Sequence, residues 1–389
     1  MCLPCIAEGG LAKILISHYS ATMAKDLVYL VTGGSGFVGE HIVKFLHKEE
    51  YVKEVKIFNM NKGGFIEDLK GGSTITFIKG NITNYNQVLE AVKGVHVVIH
   101  TAALVDYLDE RPFKELEAIN VGGTENIIKA CLASDVPYLL YTSSISAVGP
   151  NTNLDPMVGI TEDTIYHGEH LLSYGKTKAQ AERLALLANG QQMNNGNKLT
   201  TCIIRPGSIY GEKAQQILNR YQSAKYQNNR INYIQPDHAG QNYEYVGNVA
   251  WMHVLAARQM QLNSCVLGGQ VYYSYDDTPC KLLKDLDQEL FTELDPDIQI
   301  GSQIPYWKMW LIIMIYSSIR FILKPFWKLK PFITLQILKL LNVAFYCDTD
   351  KAFRHFGYKP YYSWVESKQR TCQWLKETTE DLRKTKKNS

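Results

Sequence analysis

An uncharged run, Leu27-Val28-Tyr29-Leu30-Val31-Thr32, empties directly into Gly33-Gly34-Ser35-Gly36-Phe37-Val38-Gly39, and Ile42, Val43, Phe45 and Leu46 then recur at helical spacing. Strand, tight turn and helix in that order leave few folds open, because glycines let the backbone turn sharply and approach a ligand closely. The N–H groups that open such a helix face an anion, and a pyrophosphate fits that place. The loop satisfies Gly-x-Gly-x-x-Gly through Gly34, Gly36 and Gly39, and Gly-x-x-Gly-x-x-Gly through Gly33, Gly36 and Gly39, so spacing does not choose between the two. Its position between strand and helix favours dinucleotide binding over a purely structural turn.

Further short apolar runs fall at residues 55–58, 74–78, 96–100, 138–141 and 201–204, and helical patterns over 85–92, 121–133 and 174–188 separate most of them. This rhythm predicts an α/β fold, a Rossmann-type doubly wound parallel sheet over residues 26–205. The polar stretch 190–197 reads as a surface loop before the last of these strands. Looser patterning over 206–300 suits a smaller substrate-binding region, and 347–389 forms a C-terminal segment with a basic tail. Residues 1–25 read as a disordered leader with no basic region for a cleaved signal, with Met23 an alternative start. At 389 residues and 46% hydrophobic content there is material for one large core plus a covering region. The 41 Lys+Arg against 38 Asp+Glu, without a basic-aromatic stripe in the first 300 residues, gives no support to nucleic-acid binding. The eight cysteines lack metal-ligand spacing apart from Cys2-x-x-Cys5, and we read them as reduced thiols facing cytosol.

Tyr174-Gly175-Lys176-Thr177-Lys178 is the most chemically pointed stretch. A Tyr and a Lys four residues apart lie one above the other on a helix, so the ammonium can stabilise the phenolate and reach a cofactor ribose. A free Tyr has a pKa of about 10, and work near neutral pH requires stabilising its anion by roughly 4 kcal/mol. Thr142-Ser143-Ser144 ends a predicted strand at the sheet edge where such folds place ligands, and Ser144 can hold a substrate oxygen beside Tyr174. Asn120 either caps its helix or steers a proton relay. The second strand ends at Asn59 where an acid is expected to bond the adenosine ribose, and Lys62 follows closely, so NAD and NADP both stay open. Asn81 is a similar substitution near the adenine and also starts an Asn-x-Thr match, without meaning in cytosol.

Residues 301–346 change character. No acidic residue occurs between Asp297 and Asp348, while Lys308, Arg320, Lys324, Lys328, Lys330 and Lys339 punctuate apolar stretches. The longest uncharged run, 309–319, is shorter than the roughly 20 residues that a bilayer crossing needs, so a monotopic or re-entrant membrane anchor fits. A hydrophobic helical pair packed on the core is the alternative. The terminal Lys386-Lys387-Asn388-Ser389 resembles a dilysine retrieval signal of the endoplasmic reticulum membrane, which places the catalytic domain in cytosol.

With these motifs in place, the chain resembles the extended short-chain dehydrogenases/reductases over about residues 27–375, and more narrowly the 3β-hydroxysteroid dehydrogenase/isomerases. Beyond the glycine loop and Tyr174 to Lys178, the likeness is carried by His100-Thr101-Ala102-Ala103, Arg205-Pro206-Gly207, Tyr245-Val246-Gly247-Asn248-Val249 and Tyr272-Tyr273-Ser274-Tyr275-Asp276-Asp277-Thr278-Pro279. Val148-Gly149-Pro150-Asn151-Thr152 and Trp251-Met252-His253 are most similar to the branch acting on 27-carbon sterols in bile-acid synthesis. The resemblance implies oxidation of a 3β-hydroxy-5-ene steroid to a 3-oxo-4-ene product, with Tyr174 taking the hydroxyl proton, Lys178 lowering its pKa and Ser144 orienting the oxygen. It implies NAD as cofactor, with contacts also through Ile82, Thr101, Ala102 and Pro206, and assigns Tyr272 and Asp276 to moving the double bond. A homodimer is compatible with it. Two alternatives stay open: a decarboxylating dehydrogenase of 4-carboxysterols, and a dinucleotide-binding scaffold or sensor without turnover.

Overall fold

The computed structural model describes residues 26–324, 326–327 and 329–387, so the leader and the last two residues of the dilysine reading lie outside the described residues. Strand β1 (Leu27–Thr32) is buried along its whole length. Leu27, Tyr29 and Val31 enter one apolar core while Val28 and Leu30 enter another, the period of two of a strand covered on both faces. The glycine loop leads into α1 (Phe37–Leu46), followed by β2 (Val52–Asn59), β3 (Thr74–Lys79), α2 (Tyr85–Ala91) and β4 (Val97–His100). Next come α3 (Phe113–Glu117), a π turn at Ala118–Gly122 and α4 (Gly123–Ala133), so this helical stretch starts earlier than its apolar pattern suggests. Pro112 stands at its N-cap, where a missing N–H costs nothing. Strands β5 (Tyr138–Thr142) and β6 (Met157–Ile160), helix α5 (Ser173–Ala188) and strands β7 (Thr200–Arg205) and β8 (Ser208–Tyr210) complete the first half.

Helix α6 (Gln215–Tyr226), β9 (Arg230–Tyr233), β10 (Tyr243–Tyr245), α7 (Val246–Leu262) and β11 (Gln270–Tyr273) follow. The main sheet is parallel with order β11-β7-β5-β4-β1-β2-β3. Its seventh strand therefore comes from beyond residue 205: β11 pairs with β7, Tyr272 opposite Ile204. Helix α7 supplies Ala250, Val254, Ala257 and Met260 to the core shared by Ile42, Val43 and Leu46 of α1. The first 205 residues thus hold the site's strands but do not cover both faces of the sheet.

A third core joins Tyr210, Tyr221, Tyr243 and Tyr245 to α8 (Leu283–Phe291) through Leu286, Leu290 and Phe291. Strand β12 (Gln299–Gln303) pairs with β9, and helix α9 (Tyr306–Leu323) leads to α10 (Leu335–Leu340). Strand β13 (Phe345–Cys347) returns to pair with β6, and helices α11 (Lys351–Phe356) and α12 (Trp364–Lys387) end the fold. Of the apolar side chains on α9, Met309 and Ile313 turn inward onto Leu338 of α10, whereas Trp307, Phe321 and Ile322 are each about two-thirds exposed or more. At 18 residues α9 is about 27 Å long, close to the bilayer core's ~30 Å, and it passes by length and composition as a helix able to cross a membrane.

Candidate active site

The strand order reverses between β1 and β4, and the loops leaving their C-terminal ends diverge there to open a crevice. Gly33 has φ +70°, and a Cβ on it would sit 2.8 Å from the Ala102 backbone, so only glycine lets the two loops meet. Thr101 donates its hydroxyl to the Thr32 carbonyl (2.7 Å), and the Ala102 N–H is 3.3 Å from Thr32 Oγ1. Gly36 is the N-cap of α1 and no side chain caps it, which leaves the first-turn N–H groups of Phe37, Val38 and Gly39 for an anion. Ser35 Oγ accepts the Gly63 N–H (3.1 Å), tying this loop to the one after β2. These residues fit a dinucleotide pyrophosphate. At the adenosine end, Asn59 donates its amide to the Asn61 carbonyl (2.9 Å), and Asn81 Oδ1 accepts the Thr83 N–H (3.0 Å). Asn59 ends β2, and Asn81 lies two residues past the end of β3. Ile82 is buried against Gly123, with its carbonyl taken by Asn126 (2.9 Å).

Helix α5 places polar side chains on the face that a soluble helix would reserve for apolar residues: Tyr174, Thr177, Lys178 and Glu182 are all buried. Gly175 explains how it gets so close. A Cβ there would lie 2.5 Å from the Ser146 carbonyl, so glycine lets α5 rest on the turn that Ser144 caps. Ser144 Oγ accepts the Ser146 N–H (3.1 Å), and the Ile145 N–H bonds the Pro206 carbonyl (2.8 Å), which fixes that turn over the sheet edge. Tyr174 and Ser144 are both buried at this place. Burial holds the Tyr174 phenol well above the usual tyrosine range, reinforced by the neighbouring phenols of Tyr107 and Tyr141 and opposed by Ser144.

Lys178 Nζ donates to the Thr142 carbonyl (2.6 Å) and lies 4.4 Å from the centre of the Tyr141 ring. Burial lowers its pKa to about 7, against the pull of the Glu182 carboxylate. In this arrangement one of the lysine's N–H groups is held by the Thr142 carbonyl. Glu182 also binds Arg205 with two hydrogen bonds (3.0 and 2.5 Å) and accepts the Ser143 hydroxyl (2.5 Å); Arg205 reaches the Tyr273 hydroxyl (3.2 Å). The carboxylate thus sits between two cations.

Sequence reasoning missed three groups. Glu182 was legible only as a residue four positions after Lys178. His100 is buried with both ring nitrogens occupied, by Thr32 (2.7 Å) and Thr124 (3.0 Å), and burial lowers its pKa to about 3, so it stays neutral. Tyr107, from the loop after β4, packs edge-on against Tyr174 at 5.3 Å between ring centres. Asn120, on the π turn, bonds both the N–H and the carbonyl of Leu104 (2.7 and 3.0 Å) and reaches Thr177 (3.0 Å), the role of a brace between that loop and α5.

The structure does not bring Tyr272 and Asp276 to this place. Tyr272 points to the α7 face of the sheet, fully buried, with its hydroxyl on His355 (3.0 Å) and its ring against Phe356, whereas Tyr174 approaches from the α5 face. The Asp276 carboxylate accepts the N–H groups of Tyr245 (2.7 Å) and Thr278 (2.8 Å) and the Asn248 amide (3.1 Å), so its acceptor sites are spent on the turn.

Residues 30–305 match the model of the 3-beta hydroxysteroid dehydrogenase/isomerase family. The chain belongs to that family. It is 40% identical over 353 residues to mouse 3 beta-hydroxysteroid dehydrogenase type 7, covering 90% of this chain and 95% of the relative, and 39% identical over 363 residues to the human protein of that name, covering 92% and 98%. A vaccinia virus protein (strain Ankara) named 3 beta-hydroxysteroid dehydrogenase/Delta 5→4-isomerase is 34% identical, covering 90% of this chain and 99% of the viral one. Among solved structures, the fold is shared with a Bacillus cereus UDP-glucuronic acid 4-epimerase in complex with NAD (TM-score 0.66, 17% identity, 90% of this chain and 99% of that one). It is shared too with a Bacillus anthracis dTDP-glucose 4,6-dehydratase in complex with NAD (TM-score 0.65, 16% identity, 91% and 98%). Ser144, Tyr174 and Lys178 lie buried beside this crevice, Tyr174 and Lys178 one turn apart on α5.

Proposed function

We propose that this family member oxidises the 3β-hydroxyl of a 7α-hydroxylated 27-carbon 5-ene sterol with NAD, and that Tyr174 is the base. The observation that carries this is the buried hydroxyl pair Ser144 and Tyr174, with Lys178 one turn along the same helix. Bound NAD supplies the hydride acceptor. Ser144 holds the substrate oxygen, Lys178, once it turns from Thr142, stabilises Tyr174 as its phenolate, and that phenolate takes the hydroxyl proton and becomes the neutral phenol. Asn59 bears no charge to repel a 2′-phosphate, which keeps NADP as an alternative partner. Helix α9 docks on the endoplasmic reticulum membrane with the catalytic domain in cytosol, giving the site access to sterols dissolved in the bilayer. Its exposed Trp307, Phe321 and Ile322 beside Lys308 and Arg320 support this.

The test is membrane-bound protein given a 7α-hydroxylated 5-ene cholesterol with NAD or NADP, following reduced cofactor and conjugated enone together. Both signals, lost in Tyr174→Phe, are expected; a flat trace for 27-carbon, 21-carbon and 19-carbon substrates sinks the proposal. The separation of Tyr272 and Asp276 from Tyr174 favours a second reading, in which the substrate is a 4-carboxysterol and no double bond moves. Reduced cofactor without enone, from a 4-carboxysterol only, would select it.

A further inference from the structure

Several helix cations of this chain are answered by a carboxylate one turn away: Lys44 by Glu40 (2.6 Å), Lys129 by Glu125 (2.7 Å) and Arg354 by Asp350 (2.7 Å). Helix α9 and the segment that returns from it break this habit. From residue 298 to residue 347, Lys308, Arg320, Lys324, Lys328, Lys330 and Lys339 stand without a single acid among them. Arg320 turns inward and donates its Nε to the Leu329 carbonyl (2.8 Å), tying the return to the helix. Lys308, Lys324 and Lys330 stay exposed, and among the described residues none of the three is paired with a carboxylate.

The return decides how this pair can meet a bilayer. Tyr316 donates its hydroxyl to the Lys330 carbonyl (2.8 Å), and Phe332 packs edge-on against the Tyr316 ring (5.2 Å between centres), so residues 329–332 run back along α9. They do so outside any helix or strand, and among the described residues the N–H groups of Leu329, Lys330, Phe332 and Ile333 donate to no protein acceptor. Backbone left bare in this way does not enter the hydrocarbon layer, where nothing answers it. Met309, Ile313, Tyr316 and Arg320 recur at helical spacing and form the stripe turned toward the return and α10, while Trp307, Leu311, Met314 and Ile322 lie exposed on the opposite side. Stood across the bilayer, α9 would carry the bare return into lipid; laid along the surface, it buries only its apolar outer side.

We propose that α9 and its return form an interfacial docking surface for an anionic phospholipid leaflet, on which Lys308, Lys324 and Lys330 meet the headgroups while the outer side of α9 sinks among the acyl chains. This rests on the reading of α9 as a membrane contact and adds to it an orientation and a lipid class. Lys308 stands in the first turn and Lys324 at the C-cap, about 24 Å apart along a straight helix, so the two grip one leaflet at separate lipids. A zwitterionic headgroup carries its own cation beside the phosphate and answers a lysine poorly, whereas a leaflet of net negative charge draws in each lysine by about fivefold in binding. A second copy of this chain fits the face badly, because it would set lysine against lysine across the contact.

The experiment is co-sedimentation of full-length protein, freed of detergent, with sealed vesicles of phosphatidylcholine alone or of phosphatidylcholine with phosphatidylserine, at low and at high salt. It compares wild type with a variant carrying Lys308→Gln, Lys324→Gln and Lys330→Gln together and with one carrying Arg at the same three positions. Wild type is expected to bind the serine-containing vesicles on the order of a hundredfold more tightly at low salt, an advantage that shrinks as salt rises. The glutamine variant loses the advantage and the arginine variant keeps it, with unchanged NADH affinity in both reporting an intact fold. Equal binding of wild type to the two vesicles, or a glutamine variant that still prefers the anionic ones, overturns the lipid class while the membrane contact stands. A membrane-impermeant amine reagent added outside the vesicles should modify Lys308 and Lys330 alike; Lys330 protected until the vesicles are opened would make α9 a crossing helix and overturn the orientation. Wild-type protein that sediments with neither vesicle overturns the membrane reading of α9 itself.

Discussion

Helices α5 and α9 are of similar length, 16 and 18 residues, and each turns the ordinary helix inside out. Helix α5 buries Tyr174, Thr177, Lys178 and Glu182; helix α9 exposes Trp307, Phe321 and Ile322. The difference lies in what answers each violation. On α5, Thr177 donates to the Tyr174 carbonyl (2.8 Å), Lys178 to the Thr142 carbonyl and Arg205 to Glu182, so the cost of burying polar groups is met inside the protein. On α9, Met309 and Ile313 pack inward onto Leu338, while Trp307, Phe321 and Ile322 stay exposed. The one exception is answered inside the protein and, among the described residues, these three side chains of the other are not; the proposed function reads the first as the place of chemistry and the second as a membrane contact.

The sharpest way to break this contrast is Tyr174→Phe. If Tyr174 is the base, as proposed, its loss reduces kcat by roughly 10²- to 10⁴-fold while NADH affinity is retained, because in that reading the phenol touches the reacting oxygen and not the glycine loop. Retained turnover would remove α5 from the chemistry. Next in size is Glu182→Ala, which leaves Arg205 and Lys178 buried without their shared carboxylate. Side-chain exposures of 14% for Arg205 and 7% for Glu182 place this pair in the interior, where breaking it costs about 3–5 kcal/mol. A urea midpoint unchanged from wild type would show that α5 does not depend on that answer.

The other helix is probed with Phe321→Ser combined with Ile322→Ser. Each apolar side chain withdrawn from a lipid surface forfeits about 1.5–3 kcal/mol, so vesicle binding should weaken by tenfold or more at unchanged thermal stability. A fall in melting temperature with binding intact would instead make α9 part of the core.

The smallest effect tests a buried polar group outside both helices. Glu244 accepts the Gly207 N–H (3.0 Å) and the Ser274 hydroxyl, and burial pushes its pKa up to about 8. Unfolded, the carboxyl ionises near its ordinary value of 4.5, so from there to about pH 8 the native state holds the extra proton. Stability from this group is therefore lost as pH rises through that window and levels off above it. Glu244→Gln should flatten the slope of melting temperature between about pH 5 and about pH 8. An unaltered slope would place the titrating group elsewhere.

The strands and the glycine loop were legible because their signals are local: a short apolar run, a turn residue, a helical repeat. Tyr174 and Lys178 were legible for the same reason, being four apart on one helix. Glu182 with Arg205, Asn120 with Leu104, and Tyr107 with Tyr174 were not, since each pair meets only after the chain has closed around it. Tyr272 shows the limit most plainly. Its neighbour Tyr273 points to the α5 side and bonds Arg205, and a shift of one residue in the pairing of β11 with β7 would exchange the two. Register decides which tyrosine faces the site, and β11 is four residues long. The added residue of the π turn, which aims Asn120, left no mark in the apolar pattern.

The late arrival of α7 and β11 bears on how the chain is made. A ribosome that has released residue 205 has delivered six strands of the sheet, yet the core of Tyr29, Val31, Ile57 and Ile99 has α1 packed on it and still lacks α7. That face stays half-covered until Met260 has emerged, and the sheet keeps an open edge at β7 until Tyr273 has followed. During that interval the nascent protein presents an apolar surface and an unpaired strand, the two features that recruit chaperones and invite aggregation. A transcript truncated in this interval would therefore yield an insoluble product rather than a cofactor-binding fragment.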